Sequence, residues 1–173
     1  MESILAIDIK NGLSKDGIIP WKSKMDMQFF YNKTKNNVVI MGKNTYFSLP
    51  KTHRPLKNRL NIILTSNVLN IDQDYFNSNN IFTNNDNIWF SILNNREKYM
   101  KLYPYLNTNF KIFFIGGKTI YNKFIPLCES VWVTHIKQDC DCDLFFEYDY
   151  SIQFKEEIYY QDDEIQIIKY SEK

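Results

Sequence analysis

A chain of 173 residues, 44% hydrophobic and 16% aromatic, is long enough to bury a substantial core and too apolar to be disordered. Its formal charge of +1 leaves no electrostatic footprint for nucleic acid or an anionic membrane, and no apolar run reaches the length of a membrane span. Three cysteines, an odd number, argue against a disulfide framework and for a reducing, cytoplasmic setting.

In chain order, Ile4-Leu5-Ala6-Ile7 reads as a buried strand. Residues 10–19 form a loop with Gly12 and Gly17, expected to be mobile, which leads into Pro20-Trp21. An amphipathic helix follows over about 24–34, with Met27, Phe30 and Thr34 sharing one face at i, i+3, i+7. Val38-Val39-Ile40-Met41 is a second buried strand ending in Gly42-Lys43-Asn44-Thr45, and a short helical turn over 46–49 stops at Pro50. Leu60-Asn61-Ile62-Ile63-Leu64 is a third strand ending in Thr65-Ser66. Residues 67–80 read as a long polar connection, 81–83 as a minor strand, and 84–99 as a helix capped by Asn85 or Asp86. Ile112-Phe113-Phe114-Ile115 runs into Gly116-Gly117-Lys118-Thr119, and Tyr121, Phe124 and Ile125 mark a further helix stopped near Pro126.

From Val131 the pattern changes to strands alone. Residues 131–136 place Trp132, Thr134 and Ile136 on one face, and 154–160 with 165–170 make a hairpin whose turn, Gln161-Asp162-Asp163-Glu164, lacks the usual glycine. The class is therefore α/β: a central mixed, mostly parallel sheet flanked by helices, with a C-terminal antiparallel hairpin. No linker or repeat interrupts it, so residues 1–173 are expected to form a single domain.

The stretch with the most chemistry is the helix start. Asp26 lies among Met, Phe and Trp, where a carboxylate is costly unless donors or a cation offset it. A flat heterocycle offering two donors to its two oxygens would do so. Ser23-Lys24-Met25-Asp26 is also a capping box, in which the carboxylate merely satisfies backbone donors. Taken alone, these residues favour the cap, because such short matches arise often by accident.

Glycine placement adds a second signal. Only five glycines occur, and Gly42, Gly116 and Gly117 directly follow predicted strands, at the strand ends where ligands bind in open α/β sheets. Lysines, hydroxyls and backbone N–H groups beside them suit an extended ligand with separated phosphates, a dinucleotide being the economical choice. For any one loop a plain turn explains the glycine as well, and the G-x-G-x-x-G fingerprint is absent. Cys140-Asp141-Cys142 lacks zinc spacing and a nearby histidine pair, so no metal is expected.

In sequence, the stretches over 4–6, 19–34, 39–45, 54–59, 61–66, 115–121, 133–136 and 143–146 resemble dihydrofolate reductase through essentially the whole chain. The resemblance implies NADPH as cofactor and dihydrofolate as small-molecule substrate for a monomer, with no nucleic-acid or membrane partner. It makes Asp26 the carboxylate that grips the pterin, with Thr134 hydrogen-bonded to it and Trp21 holding a water, the three forming the catalytic set. Ile4, Met27, Phe30, Leu49, Leu56 and Ile115 would line the substrate, and Arg59 would pair bidentately with its glutamate α-carboxylate. Ala6 and Leu13, with Ile115, would border the nicotinamide. Thr45, Gly116, Gly117, Lys118 and Thr119 would contact the pyrophosphate, with Tyr121 near the ribose or ring, and Gly42, Asn44, Ser48 and Ile120 would also bind the cofactor. Lys43, Thr65 and Ser66 would take the 2′-phosphate.

The chain departs from the family pattern at Ser14 and Asn58, where glycine is common, at Lys43, where arginine is frequent, and after Phe145-Phe146, where a proline is missing. Asp143 is expected either to brace the 10–19 loop or to belong to a solvated acidic turn, and His135 to be structural. Two other readings stay open: a related reductase of a ribosylated pyrimidine, which would not need Asp26, Phe30 and Arg59 together, and a non-catalytic NADPH-binding module, which would not need Asp26.

Overall fold

The computed structural model describes residues 1–70 and 79–173. Its strands are β1 (Glu2–Ile7), β2 (Gly12–Ser14), β3 (Val38–Gly42), β4 (Leu60–Leu64), β5 (Asn80–Thr83), β6 (Ile112–Phe114), β7 (Ser130–Ile136), β8 (Leu144–Phe145), β9 (Phe154–Gln161) and β10 (Ile165–Glu172). Its helices are α1 (Lys24–Thr34), α2 (Lys43–Ser48), α3 (Ile88–Asn94), α4 (Arg96–Leu102) and α5 (Lys118–Phe124). Eight strands form one mixed sheet in the order β5-β4-β3-β6-β1-β7-β10-β9, the expected class, while β2 and β8 make a separate ribbon. The chain divides into two compact units, Met1–Lys33 with Phe114–Lys173, and Thr34–Phe113.

In the first unit β1 lies parallel to β7, in a register that sets Ile4 beside Trp132 and Ala6 beside Thr134. Strand β10 runs antiparallel to both β7 and β9. The glycine-free turn of this hairpin works because Asp162 replaces the glycine's role with its carboxylate. Its Oδ1 accepts the N–H groups of Glu164 and Ile165, both at 2.8 Å, so the side chain closes the bend. Tyr148 and Tyr150 follow the aromatic pair Phe145-Phe146, and Tyr150 stacks on Tyr170 with ring centroids 4.1 Å apart.

In the second unit β3, β4 and β5 are parallel, and Val38, Val39, Ile40, Met41 and all of β4 are buried, as strands covered on both faces must be. Asn61 sits in the middle of this apolar sheet because its amide is fully used. It accepts from Leu56 N–H and donates to the carbonyls of Leu56 and Arg59, all at 2.9 Å, which pins the 56–59 turn to β4.

Five local expectations change. The buried face of α1 carries Phe29 and Thr34, and Met27 is 66% exposed, because Phe29 and not Met27 falls over β7. The helix expected over 84–99 is two helices broken at Asn95, whose side chain donates to the carbonyl of Ser91 and whose N–H turns to Ile92. Asn87 occupies its N-cap position without a side-chain cap bond. Helix α2 starts at Lys43, three residues earlier than the expected turn, and the 10–19 loop contains β2, paired with β8. Of the connection expected over 67–80, residues 71–78 lie outside the described residues.

Candidate active site

Ser23 starts α1 by accepting the backbone N–H of Asp26 at 3.1 Å, so the expected cap forms. That bond uses the Asp26 backbone and leaves its carboxylate for another partner. The carboxylate is largely buried and accepts a hydrogen bond from the Thr134 hydroxyl on β7. Burial pushes the Asp26 carboxyl above its ordinary range, and the Thr134 hydroxyl draws it part of the way back.

Thr134 shares one face of the β1–β7 pair with Ala6, Ile4 and Trp132. Behind them Tyr121 on α5 is fully buried and donates its hydroxyl to the carbonyl of Ile4 at 3.1 Å, while burial holds its proton far above the ordinary phenol range. Ile115 and Ile120 are buried, and Trp21, Phe30 and Leu13 are half-buried. At the end of β6, Gly116 and Gly117 are joined by a cis peptide. Gly116 stands at φ +122°, which side chains rarely adopt, whereas Gly117 has a negative φ of −88°. Exposed Lys118 and Thr119 open α5 directly after them.

Sequence reasoning missed the group that organises the neighbouring loops. Asp8, 1% exposed, accepts the N–H groups of Gly12 at 2.8 Å, Lys10 at 2.9 Å and Cys140 at 3.0 Å. Burial opposes its charge, but these three bonds and one from the Cys142 thiol outweigh it and hold the carboxyl below 3.8. The same arrangement pushes the Cys142 thiol up to about 12, burial being the main cause. Lys10–Asp139 and Lys15–Asp141 ion pairs cross between the same two loops, at 2.6 and 3.5 Å. Asp143 accepts the N–H of Asp16 at 3.0 Å, so it does brace the 10–19 segment. An Asp at the end of β1 carries no motif of its own, and only its burial could have announced the role.

In the second unit, Arg59 is 6% exposed and held from both sides, its Nε on the Lys57 carbonyl at 2.9 Å and its Nη1 on Thr34 Oγ1 at 3.1 Å. Asn58 stands at φ +57°, which explains why glycine is common there and why asparagine serves. Leu56 is buried and Leu49 half-buried. Gly42, at φ −76°, caps α2, and exposed Lys43, Asn44 and Ser48 lie along that helix with half-buried Thr45. Thr65 and exposed Ser66 follow β4, and Thr65 Oγ1 accepts from Asn67 N–H at 3.4 Å. Among the described residues no three His, Cys, Asp or Glu side chains converge as metal ligands, and no helix is long and apolar enough to cross a membrane.

The family model described as dihydrofolate reductase matches residues 1–171. The chain is 34% identical over 143 residues to a dihydrofolate reductase of Ureaplasma parvum, covering 83% of this chain and 79% of that protein. It is 30% identical over 152 residues to the dihydrofolate reductase of Drosophila melanogaster, covering 83% and 76%. A bifunctional dihydrofolate reductase-thymidylate synthase of Daucus carota is 33% identical over 151 residues, and the match covers 82% of this chain and 27% of that longer protein.

Proposed function

The chain belongs to the dihydrofolate reductase family, and from that premise we propose that it reduces 7,8-dihydrofolate to 5,6,7,8-tetrahydrofolate, with NADPH as the reductant. The observation that carries the reading is Asp26: a largely buried carboxylate hydrogen-bonded by Thr134 and left with acceptor capacity for a ligand's paired donors. NADPH, when bound, supplies the hydride that reaches C6 of the substrate.

The rest of the work falls to the chain. Asp26 accepts hydrogen bonds from the pterin's ring nitrogen and exocyclic amine, which orients the ring and favours its protonation at N5. Thr134 acts through Asp26 and keeps its carboxylate turned toward the ring. Trp21 holds the water beside it. Ile4, Phe30 and Ile115 exclude bulk water from the reacting face, which strengthens each polar contact inside. Arg59, with two N–H groups already anchored, is preorganised to take the substrate's α-carboxylate.

For the cofactor, the bare backbone of Gly116 and Gly117 with Lys118 and Thr119 fits a pyrophosphate, supported by the φ of +122° at Gly116. Lys43, with Thr65 and Ser66, would hold the 2′-phosphate as a point charge, which favours NADPH over NADH. Residues 1–173 act in this reading as a single reductase domain, a cytoplasmic monomer working on a small molecule.

The test is NADPH oxidation by the purified chain with dihydrofolate, beside Asp26→Asn and an NADH control. Turnover that requires dihydrofolate, prefers NADPH and falls about 10²–10⁴-fold in Asp26→Asn is the expected result. Cofactor binding without turnover would instead point to a non-catalytic module.

A further inference from the structure

Asp26 and Thr134 sit on different elements, and their hydrogen bond exists only while α1 and β7 keep their register. Side chains at Asp26, Phe29 and Lys33 recur along one face of α1, and Thr134 and Trp132 alternate along one face of β7. The two faces meet at three successive points. After the Asp26–Thr134 bond comes Phe29 against Trp132, with ring centroids 5.6 Å apart and planes tilted by 60°. Then Lys33 lays its ammonium over the same indole, 3.8 Å from the ring centroid.

Trp132 itself is fixed from behind. Its Nε1–H donates to Glu2 Oε2 at 2.7 Å, and Glu2 is a buried residue of β1, 5% exposed. Tyr159 of β9 meets the indole edge-on at 5.2 Å, and Lys169, its register partner on β10, holds its ammonium 5.2 Å from the ring. A 4% exposed indole tied to three strands is a fixed stop against which the helix seats.

We propose that Trp132 is a positioning residue for the acid: seated against Phe29 and Lys33, it fixes α1 on β7 and thereby keeps Asp26 within hydrogen-bond reach of Thr134. A helix rises about 1.5 Å per residue, and a hydrogen bond tolerates only a few tenths of an ångström, so a slip of far less than one residue breaks the contact. The assignment rests on the dihydrofolate reading for its kinetic consequence but not for its structural one.

The groups that face Asp26 or this pad are the Thr134 hydroxyl on β7, the Tyr121 phenol on α5, the Lys33 ammonium on α1, Glu2 on β1, Tyr159 on β9 and Lys169 on β10. Of these only Thr134 bonds the carboxylate and opposes its upward shift. Losing that bond while α1 still covers the carboxylate therefore moves the acid's titration to higher pH.

The experiment is Trp132→Phe, which keeps a ring and removes the donor to Glu2. It is compared with Thr134→Val and with the double variant in two readouts. One is the pH dependence of turnover, and the other is the titration of the Asp26 carboxyl by ¹³C NMR, which needs no turnover. Trp132→Phe should lower kcat about tenfold at neutral pH, shift both titrations upward, and leave the NADPH Kd within twofold. Added to Thr134→Val it should shift them no further, since both act through one bond. Lys33→Met serves as the second variant if Trp132→Phe does not fold. A purely electrostatic loss there would add to Thr134→Val, whereas a positional one would not. A lower melting temperature with both titrations unmoved, or shifts that add, would overturn the assignment. NMR shifts in the variants of a chain whose wild type never turns over dihydrofolate would overturn the reaction and leave the positioning intact.

Discussion

The charge of Asp26 is held in place by two neighbours that disagree. Burial favours the protonated acid and Thr134 favours the carboxylate, with burial the stronger. A carboxyl whose native pKa lies above its unfolded value stabilises the fold fully below the unfolded pKa and loses that contribution as pH rises through the native one. Asp26→Asn removes the loss while keeping an acceptor for Thr134. The variant should match the wild type in stability under acid conditions and exceed it by about 0.5–2 kcal/mol at neutral pH, measured by urea unfolding at both pH values. A variant no more stable at neutral pH would mean that the carboxylate is better solvated than its burial indicates. The same residue should be costly for folding and necessary for turnover, as active-site groups commonly are.

Glycine shows at this scale how type and role separate. Gly12 has ordinary φ but packs so closely that an added Cβ would lie 2.3 Å from the Cβ of Cys142 and 2.6 Å from its sulfur. Gly42, singled out by its place after a strand, has extended backbone that any residue adopts, and Gly117 stands at negative φ. Of the five glycines only Gly17 and Gly116 stand at positive φ, and Asn58 does a glycine's work at φ +57°.

Among elements, those with a clear period were readable and those held by distant contacts were not. Helix α1 spans Lys24–Thr34, and β7 and the β9–β10 hairpin fall within a residue or two of expectation, because turn and alternation signals bound them. The candidate pair Asp26 and Thr134 was legible through the family resemblance, and the cap competing with it proved compatible, since backbone and carboxylate take different partners. The true buried face of α1 was hidden because its periodic positions include Asp26 and Lys33 beside Phe29 and Thr34, and no apolar stripe marks it. The ribbon of β2 and β8 is three residues against two, too short for any period, and it rests on Asp8 and Cys142 from far along the chain. That dependence is testable. Gly12→Ala should cost about 1–3 kcal/mol by forcing Cys142 off the loop, and Cys142→Gly in the same chain should recover part of it by thermal unfolding, the contact with Asp8 Oδ1 at 2.9 Å remaining. Equal damage in the single and double variants would place the strain elsewhere.

For the whole molecule, the balance of shifted carboxyls decides how it meets acid. Asp8, Asp139, Asp149 and Asp162 are all held below the ordinary value of 3.8, Asp8 and Asp162 by hydrogen bonds from backbone N–H groups, Asp139 first by Lys10, and Asp149 first by the Ser151 hydroxyl. Each contributes stability that is complete above the unfolded carboxyl pKa and disappears as pH falls through its native pKa, so together they steepen the loss below about pH 4. Asp26 works in the opposite sense, over a window above 3.8. His135, half-buried, is held below 6.5 by burial, so its contribution is lost as pH falls through the region beneath that value. Only Asp8 among the lowered carboxyls is buried, and the others are open to solvent and to salt. Asp8→Asn, whose amide cannot accept all the N–H groups that converge there, should cost about 1–3 kcal/mol at pH 7. The cost should shrink toward pH 3 as the wild-type carboxyl is itself protonated, and adding salt should leave it unchanged. A penalty constant across that range would mean that Asp8 acts by its shape alone, and one erased by salt would mean that the loops are joined by their surface ion pairs rather than by the buried carboxylate.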